Sequence, residues 1–491
     1  SGASMTINAS DQSTVTGTLD NDAGTSGLVI ESDASNIGSL IHNTSGVNAT
    51  SELYVTGGGT SPDFNWHYIS SPMSNLATSA FTTTTLDLVA YHEDLPENEE
   101  EEGWVASNGW VYNEGSTGGP TFSNLSVGRG YNLYHSSSSH TFNLTGTLNT
   151  GDISIPLSYT TTNTGNWNGL NLVGNPYPCS IDWDVIAPNL PGRIEDAIYF
   201  TRASDNSIVS YVDGTGSDGN VTGVIPPMQG FFIQTEATNT SIDLTASTDR
   251  LHGTQARYKS ATIIPLVRLK FTDQEKSDYT VIRLKDLATE EFDNSYDASK
   301  FMISESKNLV WTELNNEKYS INTIPFPYEQ SIIPLVVNIP VDGQYTIEAT
   351  DVQGVDNYDV ILTDTEQNNY QVDLKQVQEY TFSADKGRST DRFFITIGAI
   401  VTGFEEIEKD EGFNMYTFAS QLCIQTLDDR WNDTRAEVNV YDLAGRLISK
   451  HKNIEFYKGE TINLNFNRPA GVYLIEITDR TRRAVQKLSH R

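Results

Sequence analysis

Ile263-Ile-Pro-Leu-Val-Arg-Leu-Lys-Phe271, Tyr279-Thr-Val-Ile-Arg-Leu284, Ile332-Ile-Pro-Leu-Val-Val-Asn-Ile339, Gln344-Tyr-Thr-Ile-Glu348, Tyr358-Asp-Val-Ile-Leu362, Tyr380-Thr-Phe382 and Arg392-Phe-Phe-Ile-Thr-Ile397 are short strings rich in β-branched and aromatic residues. Where apolar and polar residues alternate, successive side chains point to opposite faces of a strand. Seven such strings with few helical candidates between them predict a β-sandwich over residues 255–400.

Toward the N-terminus the strings shorten. Met5-Thr-Ile-Asn, Ser13-Thr-Val-Thr-Gly, Gly27-Leu-Val-Ile-Glu-Ser and Gly38-Ser-Leu-Ile-His lie between turn residues. Over residues 1–60 they predict the last rungs of a β-solenoid or the first sheet of a sandwich. A single rung cannot bury its apolar face alone, so a solenoid end would need a cap or a neighbour.

Residues 61–250 read as a duplicated β-rich module. Trp66-His-Tyr-Ile-Ser-Ser-Pro72 matches Trp167 through Leu172-Val-Gly-Asn-Pro176 at an offset of 101 to 104. Trp110-Val-Tyr112 with Ser210-Tyr211, Gly130-Tyr-Asn-Leu-Tyr134 with Gly230-Phe-Phe-Ile-Gln234, and Phe142-Asn-Leu-Thr145 with Ile242-Asp-Leu-Thr245 follow near an offset of 100. Each copy is expected to be an antiparallel sheet with its aromatics on one face.

Toward the C-terminus an acidic hinge, Glu405 to Glu411, leads to residues 405–491. There Met415 to Gln425, Ala436-Glu-Val-Asn-Val-Tyr441, Arg446-Leu-Ile-Ser449, Thr461-Ile-Asn-Leu-Asn465 and Gly471-Val-Tyr-Leu-Ile-Glu-Ile477 predict a compact immunoglobulin-like sandwich. The expected class is therefore all-β, with several β-sandwich modules in series.

The 491 residues carry a net charge of −33, unevenly spread. Residues 1–250 hold four basic residues (Arg129, Arg193, Arg202, Arg250) against 27 acidic ones. Such a surface repels phosphate backbones and anionic lipid, which excludes nucleic acid as a natural partner. Cys179 and Cys423 fall in segments assigned to different modules, so no bond between them is expected. No apolar run reaches membrane-spanning length, and the first residues lack the charged and apolar regions of a signal peptide.

No Gly-x-Ser-x-Gly elbow, His-Glu-x-x-His pair or phosphate-cradling glycine loop is present, so no enzyme is expected in this stretch. His135 and His140 are the closest histidine pair. Asp182 and Asp184 would lie on one strand face, where a carboxylate pair could do general acid/base work; beside Pro176, Pro178 and Trp183 they are expected instead to cap a short helix or tie a turn. Glu93 to Glu102 holds seven acidic residues in ten and reads as a solvated loop. Asp205, Asp213 and Asp218 form an oxygen-rich stretch where a hard cation such as calcium would find ligands; the competing reading is a hairpin with glycines at its left-handed positions. Trp104 and Trp110 share one alternation phase and are the candidate glycan contacts, against core packing as the plainer use.

Val438-Asn-Val-Tyr-Asp-Leu-Ala-Gly-Arg446, Gly471-Val-Tyr-Leu-Ile and the basic end Arg480 to Arg491 resemble the C-terminal type A sorting domain of the type IX secretion system of Bacteroidota. Asp442, Gly445, Arg446 and Gly471 carry the resemblance. It implies recognition by the secretion machinery, passage across the outer membrane, and a product that is secreted or attached to the cell surface. The Pro-Asn-Pro common at the family's first strand is replaced here by Asn414-Met-Tyr-Thr417. Upstream strings, such as Leu172-Val-Gly-Asn-Pro-Tyr-Pro178 and Asp391-Arg-Phe-Phe394, resemble non-enzymatic modules of large surface proteins of the same bacteria. The reading that follows is a non-catalytic structural or adhesive region with an export signal. The alternative is the carbohydrate-binding region of a secreted glycan-active enzyme.

Overall fold

The computed structural model describes residues 4–60, 63–81, 86–94, 109–112, 122–161, 168–202, 205–253, 264–273, 275–301, 307–327, 330–399, 412–418, 421–442, 446–469, 471–479 and 482–490. It is a nearly all-β chain of several discrete sheets, and among the described residues the one α-helix is Trp183–Ile186. Two compact units divide the chain. The first comprises residues 1–326, 332–356 and 360–396, and the second residues 397–491 with the short pieces 327–331 and 357–359.

The N-terminal strings stack in parallel. Met5–Ile7 pairs with Leu28–Ile30, which pairs with Asn48–Thr56, while Gln12–Val15 pairs with Ser39–His42. Asn48–Thr56 then pairs antiparallel with Ser139–Leu148 over nine residues. The stack thus finds its neighbour inside the first copy, and residues 1–60 share that copy's core: Ile7, Leu28, Leu40 and Val55 pack with Leu88, Leu133 and Leu144.

Sheet order recurs across residues 61–250. In the first copy the sheet order is Trp110–Tyr112, Leu86–Tyr91, Tyr131–His135, Trp66–Ile69; in the second it is Ser207–Val212, Ile194–Arg202, Gly230–Thr235, Leu170–Gly174. The outer pairings recur as well, with Asn48–Thr56 on Ser139–Leu148 matching Ile153–Leu157 on Thr240–Leu244. One sequence match shifts by two residues, because the registers place Tyr112 opposite Val89 and Ser210 opposite Tyr199, so Trp110 corresponds to Ile208.

The copies meet about a pseudo-two-fold axis. Ile69 bridges Gln229 and Val173 bridges Arg129, each the other's image under the repeat offsets. Ser70 N–H donates to Met228 O at 2.8 Å and Gly174 N–H to Gly128 O at 2.9 Å. A Cβ on Gly130 would lie 2.5 Å from Val173 O, so this crossing needs the bare backbone.

The expected separation at residue 255 does not hold for the core. Tyr68, Tyr91, Leu172, Tyr199 and Phe232 pack in one cluster with Leu266, Val281, Phe301 and Ile321. The cause lies in the second copy's sheet, which is covered on both sides: Phe231, Ile233 and Ile198 face one cluster, and Phe232 and Tyr199 face the other. A sheet buried on both faces reads as a continuous apolar run, as Gly230-Phe-Phe-Ile does.

Residues 264–399 form one sheet of eleven strands, where two facing sheets were expected. It curls toward closure. Phe382, on one terminal strand, packs 4.7 Å from Phe393, and Tyr380 lies 6.0 Å from Tyr370 on the opposite terminal strand. Curling a sheet this wide covers edges that would otherwise stay open. Arg392 locks the seam: it is 5% exposed, holds Asp364 at 2.9 Å and donates to Ser383 O at 3.3 Å.

The second unit has a three-stranded sheet (Phe413–Phe418, Gln421–Thr426, Thr461–Asn465) and a four-stranded one (Leu447–Phe456, Thr434–Tyr441, Gly471–Thr478, Arg483–His490). They enclose Phe413, Ile424, Trp431, Val438, Phe456 and Ile475.

Candidate functional site

In the C-terminal unit Asp442 and Arg446 of the sorting motif bond to each other at the end of the Thr434–Tyr441 strand, with residues 443–445 between them outside the described residues. Asp442 N–H donates to Arg446 O at 3.0 Å, and Arg446 N–H donates back to Asp442 Oδ1 at 2.9 Å. Arg446 Nε reaches Asp442 Oδ2 at 2.6 Å while its side chain stays 83% exposed. The carboxylate fixes Arg446 and the guanidinium is presented to solvent. Gly445 lies outside the described residues. Gly471 opens the Gly471–Thr478 strand opposite His490, and a Cβ there would meet Tyr473 at an ordinary 3.7 Å, so space alone does not demand glycine.

Beside this pair, on the same sheet, Glu476 accepts from Asn439 at 2.9 Å, Tyr441 at 2.8 Å and Arg483 at 2.6 Å. Burial pushes this carboxyl up, but the Arg483 guanidinium and the two neutral donors outweigh it and hold the group below its usual range. Residues 412–491 hold 12 basic and nine acidic side chains, net +3, whereas the rest of the chain holds 19 and 55, net −36.

The three aspartates proposed for calcium are engaged by cations of the protein. Asp205 and Asp218 hold Arg202 at 3.2 and 3.3 Å. Asp213 stands at the tip of the Ser207–Val212 hairpin with φ 44°, followed by Gly214 at 78°. Its Oδ2 accepts from Arg283 at 2.5 Å and Lys285 at 2.6 Å. For Asp205, burial raises the pKa, and the Ser207 hydroxyl and N–H together with Arg202 bring it below the ordinary value. Among the described residues no group of three or more His, Cys, Asp or Glu side chains is arranged to hold a metal ion.

Trp110 is half-buried in an aromatic cluster, 5.2 Å from Tyr91, 6.0 Å from Phe232 and 6.3 Å from Tyr68. Trp104 lies outside the described residues, as does most of the Glu93 to Glu102 stretch. Its first residue is buried, with Glu93 Oε1 accepting from Thr160 N–H at 2.7 Å and Gly169 N–H at 2.8 Å. Asp182 caps the Trp183–Ile186 helix, accepting from Asp184 N–H, and Asp184 accepts from the Tyr211 hydroxyl at 2.8 Å. His135 and His140 stack with ring centroids 4.6 Å apart. Burial, and then the neighbouring His140, lowers the His135 pKa.

Two features have no counterpart in the sequence reading. Glu195 is a buried carboxyl within a group of acids drawn from both sides of residue 255. A cavity of about 380 Å³ opens beside Arg129, at the crossing of the two copies. Neither follows a motif; the one signal for Arg129 was the scarcity of basic residues in that half.

Together, the sheets and the sorting motif define a secreted or surface-attached, nearly all-β protein with a C-terminal export domain. Residues 419–490 match the family model of the secretion system C-terminal sorting domain. The chain belongs to the family described as Domain of unknown function (DUF8693), whose model matches residues 1–397. That match runs through residue 255 without a break, as the shared core does. No curated protein matches. Among solved structures, one titled "Biofilm associated protein - BSP domain" aligns at 9% identity over 93% of this chain and 98% of that one, with a TM-score of 0.13, and carries no argument.

Proposed function

We propose that residues 1–397 are a non-catalytic structural and adhesive body, which the sorting domain at 419–490 delivers outside the cell through the type IX machinery. The observation that carries this reading is the sorting domain itself, placed after a body whose sheets share cores. The polar groups that resembled chemistry in the sequence support it too: Asp205, Asp213 and Asp218 carry arginine and lysine, and Asp182 is a helix cap. Calcium and the Trp110 glycan contact therefore do not enter. In this reading the parallel N-terminal ladders are a short solenoid capped by the first copy, and the three-plus-four arrangement of the last unit is immunoglobulin-like.

Cells of a host with this secretion system that carry the chain are expected to attach to an abiotic surface or to each other several-fold more than cells lacking it. Equal attachment with the chain present on the surface would sink the adhesive part of the reading.

A further inference from the structure

The registers of the two copies put different side chains at three equivalent places at one end of each. His67 pairs with Leu133 as Asn171 pairs with Ile233, and His140 pairs with Val55 as Thr240 pairs with Leu157. His135 stands two residues past Leu133, as Thr235 stands two past Ile233. The bonding around them is shared. Asn171 Nδ2 donates to Ser158 O at 2.8 Å, and His67 Nε2–H donates to Thr56 O, the matching carbonyl of the other copy. Ala237 N–H donates to Thr235 Oγ1 at 3.1 Å, and Ser137 N–H donates to His135 Nδ1 at 3.1 Å. The fold therefore closes one end with an amide and two hydroxyls and the other with three imidazoles, the side chains that change charge just below neutrality.

His67 and His135 share the face of Leu133, and His140 shares that of Val55 and Phe142, so all three point into one end of the first copy's core. His135 is 3% exposed, its ring stacks 4.6 Å from that of His140, and His140 lies 4.4 Å from Phe142. Among the described side chains no carboxylate faces this group, in a chain with 64 acidic residues. On the strands that carry or pair with the histidines the acids are Glu52 and Asp87, and both alternate to the outer faces. Glu52 Oε2 accepts from Ser32 N–H, and Asp87 is paired with Tyr134, one step from His135. Asp63 belongs to the next hairpin, opposite Thr60. Those strands bear no lysine or arginine, and the Thr78–Phe81 turn that packs on Phe142 bears no charge. The turn after His135 is tied to a glycine pair, with Gly58 N–H donating to His135 O at 2.8 Å and Gly57 N–H to Ser138 O at 3.1 Å. A Cβ on Gly57 would lie 2.1 Å from His135 O, so the closed turn sits directly on bare backbone.

We propose that this end of the first copy is an acid-operated latch, closed at neutral pH and opened in mildly acidic solution by charging of His135 and His140, which lifts the turn off Gly57 and Gly58 and uncovers Phe142. The matching end of the second copy stays closed. The latch goes beyond the structural and adhesive reading and does not depend on it. Once protonated, His135 Nδ1 can no longer accept from Ser137 N–H, and a charged His140 beside it repels. Burial, and then His140, lowers the His135 pKa; burial also lowers that of His67, against the pull of the Thr56 backbone. The opened form takes up protons near the ordinary 6.5 and the closed form only below it, so the closed state is fully favoured above 6.5 and loses ground as the pH falls.

The test is hydrogen–deuterium exchange of the full chain at pH 7 and pH 5, corrected for the intrinsic pH dependence of amide exchange. Residues 54–58 and 131–142 are expected to exchange about tenfold faster at pH 5, the effect of a one-unit pKa difference between closed and opened forms, while residues 231–242 keep their corrected rate. The comparison of the two copies within the wild-type chain stands without any variant. His135→Thr combined with His140→Thr installs the residues that the second copy uses at the same places. This variant should keep the exchange pattern of pH 7 and lose the acceleration at pH 5. No acceleration in the first copy, equal acceleration in both copies, or acceleration that survives in the double variant would overturn the proposal.

Discussion

Asp278→Asn is expected to destabilise the first unit by about 3–5 kcal/mol, the usual cost of leaving one member of a buried ion pair without its partner. Asp278 and Lys300 are each 4% exposed at the side chain and stand 2.5 Å apart. The carboxylate also accepts from Val310 N–H at 2.7 Å, so one side chain ties the Ser277–Leu284 and Leu309–Leu314 strands to Lys300, which follows Ala298–Ser299. Asparagine keeps an acceptor for Val310 but leaves the ammonium uncompensated. Lys300→Met combined with Asp278→Asn removes the stranded charge, and the double variant should recover most of the loss. The check is the melting temperature of the three proteins. A double variant no more stable than Asp278→Asn alone would show that the cost does not come from the buried lysine.

Glu195→Gln should stabilise the protein at neutral pH, by up to about 3 kcal/mol at pH 7. Glu195 is 8% exposed, and its Oε2 has no hydrogen-bond partner among the described residues. Burial pushes the carboxyl up to about 8, with Glu236 adding to the shift and the Tyr199 hydroxyl opposing it. The unfolded chain releases this proton near 4.5, so between 4.5 and 8 the folded state binds more protons than the unfolded one. Stability from this group is therefore full below 4.5, falls as the pH rises through that window, and levels off above 8. Asp297, raised to about 7, and Asp196, raised to about 6, both chiefly by burial, slope the same way. Asp364 runs opposite: burial raises it, Arg392 and Tyr380 more than offset that, and its contribution is lost only in acid. Melting curves at pH 4.5, 6 and 8 should converge for wild type and Glu195→Gln at the acid end and diverge toward alkali. A constant gap between them would contradict the assignment.

The strands were legible because their pattern is local. Tyr279 to Leu284 and Ile332 to Ile339 each fall inside an observed strand, since β-branched alternation needs no information from elsewhere in the chain. The matching sheet orders have a trace in the sequence because strings under the same geometric demands keep a common spacing near 100 residues. The turn chemistry survives with different residues: Asn175 Oδ1 accepts from Tyr177 N–H, and at the equivalent place Ser71 Oγ accepts from Met73 N–H.

Partnership across the chain was not legible. Asp213 looked like a cation ligand because its neighbours in sequence are glycines and polar residues, while the arginine that neutralises it lies 70 residues away. Lysine first appears at Lys259, and cations beyond it, Arg283 and Lys285, partly neutralise the acidic half. The run Gly230-Phe-Phe-Ile held a signal for a sheet buried on both faces, and reading it as such would have placed the shared core.

The sorting domain differs in charge from all that precedes it, at net +3 against −36, and it presents Arg446, held by Asp442, to solvent. The assignment of export to this domain is tested most directly by transplantation. Residues 405–491 fused to a folded periplasmic reporter, in a host with the type IX system, should carry the reporter to the cell surface or the medium, while the chain lacking those residues, given the reporter's own periplasmic leader, stays in the periplasm. A reporter that remains periplasmic, or a truncated chain that still reaches the surface, would contradict the account.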